Sequence, residues 1–419
     1  MKKIIALLLL TGLLTLTNGA EFEKLLADQP ENIWQSDAGD IAGLLGIPLV
    51  PGDSDGSFFR YYSRRSPEKL TIAGVAVEEL IVRLKNGKVD ELELSIHNRG
   101  DSPDVMLQHF HEDQKKIEEF IAARTSGLQN DRTWLNGATI EMRWGRSPYA
   151  LWILSWCENQ GRGEYLRLRI LPPDRQPERL KSTLRASTDG KDLASRLIRE
   201  ANGDCYLPVP MIDQGGKGYC VAATVARIMR YYGAELDQNT IAQLASTDVV
   251  RGTTWSQFLP ALEQAQSRLK VRVVPLVETR YYDSANGVMQ FVSEYNNIAR
   301  KEKLPTLRMD DLIVNEGGYQ IIRMDKVFTV PNPEIVTKLR MRDRNGLKKF
   351  KETLIKAIDQ GYPVIWCIPT HMRIINGYNQ TANTVIYTDS FGAGHEKKSM
   401  PMDDAWVQTI RTLLLEPTR

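Results

Sequence analysis

Cys220 ends a glycine-rich stretch, Asp213-Gln214-Gly215-Gly216-Lys217-Gly218-Tyr219-Cys220, that runs straight into an amphipathic segment. Three glycines let a backbone turn tightly before a helix begins. Val221, Val225, Ile228, Met229 and Tyr232 recur on one face, and Gly233 follows as a stop, which predicts a helix over Tyr219–Tyr232. Cys220 then falls in the first turn. The unpaired N–H groups and positive dipole end there favour an anionic sulfur, the nucleophilic form. Gln214 lies six residues upstream. Its side-chain amide can donate to a developing oxyanion, with the Cys220 backbone N–H as second donor.

Such a nucleophile needs a base from elsewhere in the chain. The sequence has five histidines, His97, His109, His111, His371 and His395. His371 sits between two apolar, strand-like runs, Tyr362–Pro369 and Met372–Tyr378, where a sheet edge can face a helix N-terminus. The next strand, Val385–Thr388, ends at Asp389, and the polar turn Asn379–Asn383 would bring that carboxylate beside the imidazole. Asp389 is the expected orienter of the ring, with Asn376 and Asn379 as alternatives. The set reads as amide hydrolysis through an acyl thioester. Cys220 attacks, Gln214 holds the oxyanion, and His371 protonates the leaving amine and then activates water. No metal or organic cofactor is required. Two rivals use the same residues: a transglutaminase- or amidase-type acyl transfer, and a non-catalytic module that only binds peptide. Cys367 reads as core packing and His395 as an exposed loop residue. His109 and His111 flank Phe110 without the carboxylates a metal site would need.

The elements that position these groups fill the second half of the chain. Further helices are expected over Asp192–Ala201, Asp237–Leu244, Thr254–Leu269, Ser284–Lys301 and Leu347–Asp359, and further strands over Lys270–Val277 and Thr409–Leu415. The first half, residues 21–172, reads as a separate α+β domain. It has a hairpin of Glu79–Lys85 and Lys88–His97 around Asn86-Gly87, a helix over Asp104–Ala123, and strands over Ala138–Trp144, Tyr149–Cys157 and Tyr165–Leu171. Pro172, Pro173 and Pro177 open a linker over residues 173–190. Residues 191–419 form the second domain.

Lys2 and Lys3, an apolar stretch of 13 residues from Ile4 to Leu16, and Thr17-Asn18-Gly19-Ala20 form a secretory signal pattern over residues 1–20. The stretch is short for a membrane span, so a periplasmic or secreted bacterial protein is expected. The chain has 419 residues, 42% hydrophobic and 25% charged, with a net charge of +2 from 54 basic and 52 acidic side chains. That balance offers no field for nucleic acid or an anionic membrane; the expected partner, from the amide-hydrolysis reading, is a peptide or protein substrate. Of the four cysteines, Cys157, Cys205, Cys220 and Cys367, none has metal-ligand spacing. With Cys220 reserved, at most one disulfide can form among the other three.

The order Gln, Cys, His, Asp and the local forms DQGGKGYCVAATVARIMRYYG, HMRIINGYN and VIYTDSFG resemble papain-like cysteine peptidases, most closely the C39-like group. The resemblance covers about Tyr206–Pro417. It implies a helical part bearing Cys220 packed on an antiparallel sheet bearing His371 and Asp389, with Gln214 as the oxyanion residue. Thr370 stands where many of the group have glycine before the histidine. Val221 stands where papain has tryptophan after the cysteine. The 151 positions from Cys220 to His371 exceed the spacing in bacteriocin-processing relatives, and the excess is assigned to about Tyr281–Arg344.

Overall fold

The structure is a computed structural model that describes residues 20–418, apart from 28–29, 100–105, 136–137, 160, 178–192, 216–217, 235–240, 243–257, 261, 264–265, 267–268, 280, 282–283, 317–318, 323–329 and 370. The signal pattern, most of the expected linker and most of the expected helices over Asp237–Leu244 and Thr254–Leu269 lie outside the described residues. Among the described residues no helix is long and apolar enough to cross a membrane. Helices and antiparallel sheets mix along the chain in an α+β arrangement.

The first half is built on an eight-stranded antiparallel sheet. Its spatial order is Val50–Pro51, Phe58–Tyr62, Glu79–Lys85, Lys88–Asn98, Arg162–Leu171, Leu151–Asn159, Ala138–Arg146 and Gln129–Leu135. Asn86 and Gly87 both take positive φ, 54° and 75°, the backbone of a two-residue hairpin turn whose twist matches its strands. The helix Leu107–Ala122 lays Phe110, Ile117, Phe120 and Ile121 on one face of this sheet. They join Leu92, Leu94, Trp152, Leu154, Leu166 and Leu168, which alternate along their strands, in one buried core. The opposite face carries paired charges, including Arg169 on Glu91 at 2.6 Å.

The second half has its own core and its own sheet, in the order Ile198–Arg199, Asp204–Tyr206, His371–Asn379, Val364–Ile368, Arg411–Pro417 and Val271–Glu278. Thr384–Thr388 pairs with His371–Asn379 and with Lys398–Pro401. Gly377 is needed where the Asp204–Tyr206 strand crosses, because a Cβ there would stand 2.4 Å from the Cys205 carbonyl oxygen. The helix Cys220–Tyr231 packs on the His371–Asn379 strand.

Two of the elements expected from sequence differ in the structure. The expected helix over Asp192–Ala201 gives way to a 3-10 turn, Leu193–Arg196, and a short strand, Ile198–Arg199. Pairing of Ile198 with Tyr206 and Arg199 with Cys205, closed by Glu200 N–H on the Asp204 carbonyl at 2.8 Å, outweighs helix propensity there. The Cys220–Tyr231 helix is buried on nearly all sides rather than on one face, and Thr224 and Arg227 are sealed in with the apolar residues.

Residues about Tyr281–Arg344 include the helices Ala285–Glu302 and Pro333–Arg342. Their apolar faces form a cluster of Val288, Phe291, Tyr295, Ile335 and Leu339. Arg340 anchors this cluster to the helix Met402–Gln408, stacking its guanidinium 3.8 Å from the Trp406 ring and donating to the Trp406 carbonyl at 2.8 Å.

Candidate active site

Cys220 is the first residue of its helix, half-buried, and the residue before it is non-helical, with Tyr219 at φ −98° and ψ 16°. Its backbone N–H is therefore one of the amides a helix start leaves without an intrahelical acceptor.

His371 opens the strand that packs against this helix, and Asp389 follows the end of the neighbouring strand. Ile374 pairs with Thr388, which sets Asp389 opposite the start of the His371 strand. Period-two alternation puts His371 and Arg373 on the same face, and both meet the same carboxylate. His371 Nε2 lies 2.6 Å from Asp389 Oδ1, and Arg373 Nε donates to Asp389 Oδ2 at 3.0 Å. The Ser390 backbone N–H also donates to Oδ1, at 2.9 Å.

Nε2 is committed to Asp389, and the Cys220 side chain hydrogen-bonds to the same ring. Burial pushes the His371 imidazole down, but hydrogen bonds to Asp389 and to the Cys220 side chain, with the negative charge of both, outweigh it and raise its pKa to about 9. For Asp389, burial pushes upward, but the His371 hydrogen bond and the His371 and Arg373 charges hold the carboxyl below its ordinary range. The pair is thus matched as imidazolium and carboxylate at neutral pH.

Cys367 is buried, and burial pushes its thiol up to about 12, leaving it protonated and inert as core packing. No disulfide joins Cys157, Cys205, Cys220 and Cys367.

Gln214 is buried beside this set. Its backbone N–H donates to the Ser390 carbonyl at 2.8 Å, and its Oε1 accepts from Ser390 Oγ at 2.5 Å. Any contact from this side chain to a substrate oxygen must therefore come from Nε2, the donor an oxyanion needs. The four residues singled out by sequence, Gln214, Cys220, His371 and Asp389, thus converge from three segments onto one place. Asn376 and Asn379 point elsewhere: Asn376 donates to the Leu207 carbonyl at 2.9 Å, and Asn379 donates to the Asn202 carbonyl at 3.0 Å.

Residues 317–412 match the family described as Peptidase_C39 like family. The C-terminal part of the chain is C39-like. The matched span holds His371 and Asp389, while Gln214 and Cys220 precede it. No curated protein and no solved structure matches the chain.

Four further residues of the second half escape a reading by sequence. Arg227 lies two helical turns from Cys220, buried, and ties the helix to the aspartate strand. It donates to the Asp389 carbonyl and the Pro210 carbonyl, each at 2.9 Å, and to Thr388 Oγ1. Burial brings even this guanidinium down to about 10. Ser390 clamps Gln214, and Arg373 braces the carboxylate. Phe391 stacks flat on the His371 ring, with centroids 4.9 Å apart and planes 7° apart, while remaining exposed on its outer side. His395, expected as a bare loop residue, is half-buried, and its carbonyl accepts the Asp389 backbone N–H at 2.9 Å.

Arg227→Met should lower stability by about 1–3 kcal/mol for each buried acceptor it orphans, read as a lower urea midpoint. Arg227→Lys should recover only part of the loss, since an ammonium cannot reach three acceptors in the guanidinium's planar geometry.

Proposed function

We propose that this protein is an exported cysteine peptidase of papain-like architecture, hydrolysing peptide bonds with Cys220 as nucleophile, His371 as base, Asp389 as orienter and Gln214 as oxyanion donor. The observation that carries the reading is the continuous coupling from the Cys220 side chain through the His371 ring to Asp389, with the sulfur at the mouth of a helix. In the reaction the sulfur bonds to the scissile carbonyl carbon, and the Cys220 N–H and Gln214 Nε2 hold the resulting oxyanion. His371 then gives its proton to the departing amine. Water, deprotonated by the same ring, splits the thioester, releases the acid and restores the thiolate beside the imidazolium. Phe391 covers one face of the imidazole, which restricts ring rotation and shields the ion pair from water on that side. Export rests on the basic and apolar pattern of residues 1–20.

A thiol-directed epoxide followed by peptide mapping tests the reading. Cys220 should be modified while Cys157, Cys205 and Cys367 are spared, and His371→Ala should abolish the labelling. Absence of labelling in the wild type would instead favour a module that binds peptide without cleaving it. Product analysis separates hydrolysis from acyl exchange: new free termini accompany hydrolysis, and an isopeptide bond accompanies exchange.

A further inference from the structure

The N-terminal sheet meets the second half at the two loops that build the site. Arg60, on the strand Phe58–Tyr62, is almost fully buried at 4% exposure. Its Nε pairs with Glu79 Oε1 at 2.5 Å, on the adjacent strand. Its two terminal nitrogens both reach Asp213, the residue before Gln214: Nη1 to Oδ2 at 2.7 Å and Nη2 to the backbone carbonyl at 2.7 Å. The other oxygen of that carboxylate, Oδ1, accepts the Gly215 N–H at 2.8 Å, and Gly215 takes a positive φ of 71°. One guanidinium therefore fixes both the main chain and the side chain of the turn around Gln214.

Three more ties run the same way. Tyr219 donates its hydroxyl to Asn98 Oδ1 at the end of the Lys88–Asn98 strand, one residue before Cys220. Ser54 gives its N–H and hydroxyl to Glu396 at 2.6 and 2.8 Å, and its oxygen accepts the Gly394 N–H at 3.0 Å, in the loop that follows Asp389. Phe58 and Ile81 bury Met211 between the two halves.

We propose that Arg60 is a positioning residue for the reaction, and that the N-terminal sheet completes the active site by holding the Asp213–Gly215 turn so that Gln214 faces the oxyanion. This rests on the peptidase reading above and deepens it. A buried bidentate arginine held by a second carboxylate is a rigid strut rather than a surface contact. Displacing a donor by about 1 Å is enough to cost on the order of 100-fold in rate. A sheet that merely covered the cleft, to be released by cutting the linker, would have its contacts on substrate-facing side chains. Arg60 instead contacts the backbone of the turn that carries Gln214.

The test uses the full chain with two readouts, hydrolysis of fluorescein-labelled casein and alkylation of Cys220 by iodoacetamide. Alkylation is a displacement at carbon that forms no oxyanion. Arg60→Gln and Asp213→Asn should each lower kcat about 10- to 100-fold, with KM changed little. Cys220 alkylation should stay within about twofold of the wild type, since an oxyanion donor is not used there. In a Gln214→Ala background neither substitution should lower kcat further. Asp213→Asn keeps the acceptor for Gly215 and the Arg60–Glu79 pair, so it reports even where Arg60→Gln fails to fold. Unchanged or raised kcat in the folded variants, or an equal loss of both readouts, would overturn the proposal. A wild-type chain inert in both readouts removes the peptidase reading and this inference with it, which differs from an active wild type indifferent to both substitutions.

Discussion

Cys220→Ala should abolish peptide hydrolysis, with a loss of roughly 10⁴-fold or more that adding His371→Ala does not deepen. In the proposed reaction nucleophile and base act as one unit, so removing either leaves only binding and oxyanion stabilisation. The substitution should not unfold the protein. Cys220 is half-buried at a helix start, and alanine is a good helix former there, so the melting temperature should stay close to the wild type. Casein hydrolysis with each single variant and with the double variant checks both statements. Full additivity of the two losses would mean that the residues act separately.

Asp389→Asn should move the alkaline limb of the pH–rate profile toward acid. In the wild type the imidazolium is retained up to about 9, because hydrogen bonds and charge from Asp389 and Cys220 overcome the cost of burying it. The amide removes the Asp389 charge and leaves Arg373 facing the imidazolium without a carboxylate between them. Loss of one neighbouring opposite charge lowers such a pKa by about 1–3 units. At neutral pH a growing fraction of the variant would then lack the proton the leaving amine requires, and kcat should fall steeply on the alkaline side.

The linkage to stability has a definite sign for each partner. His371 titrates higher folded than its ordinary 6.5, so its contribution is full below about 6.5 and fades as pH rises through about 9. Asp389 titrates below its ordinary 3.8, so its contribution is present above that value and is lost as pH falls through the lower folded value. In the Asp389→Asn variant both dependences should flatten in urea melts taken across pH.

The placement of the candidate residues was readable where local pattern dictates it. Glycines ahead of an amphipathic run put Cys220 at a helix mouth, and alternation around a polar turn put Asp389 beside His371. The hairpin at Asn86-Gly87 was equally plain, since its backbone demands residues that accept positive φ. What escaped depends on docking between distant segments. Arg227 reads as an ordinary helix cation until the aspartate strand closes over it, 162 residues away. Arg60 and Asp213 are separated by 153 positions, and nothing local in either strand or loop announces the pairing. The strand Phe58–Tyr62 that carries Arg60 was itself missed, as was Gln129–Leu135, because neither alternates cleanly between apolar and polar residues. Ile198–Arg199 shows the converse: a segment with helical spacing taken into a sheet by a hairpin partner that spacing cannot see.

The central claim is that Cys220 and His371 are one coupled pair. An NMR titration of the His371 ring, in the wild type and in Cys220→Ala, tests it most directly. A midpoint near 9 that drops when the sulfur is removed is the predicted result. A midpoint near 6.5 that ignores the substitution would contradict it.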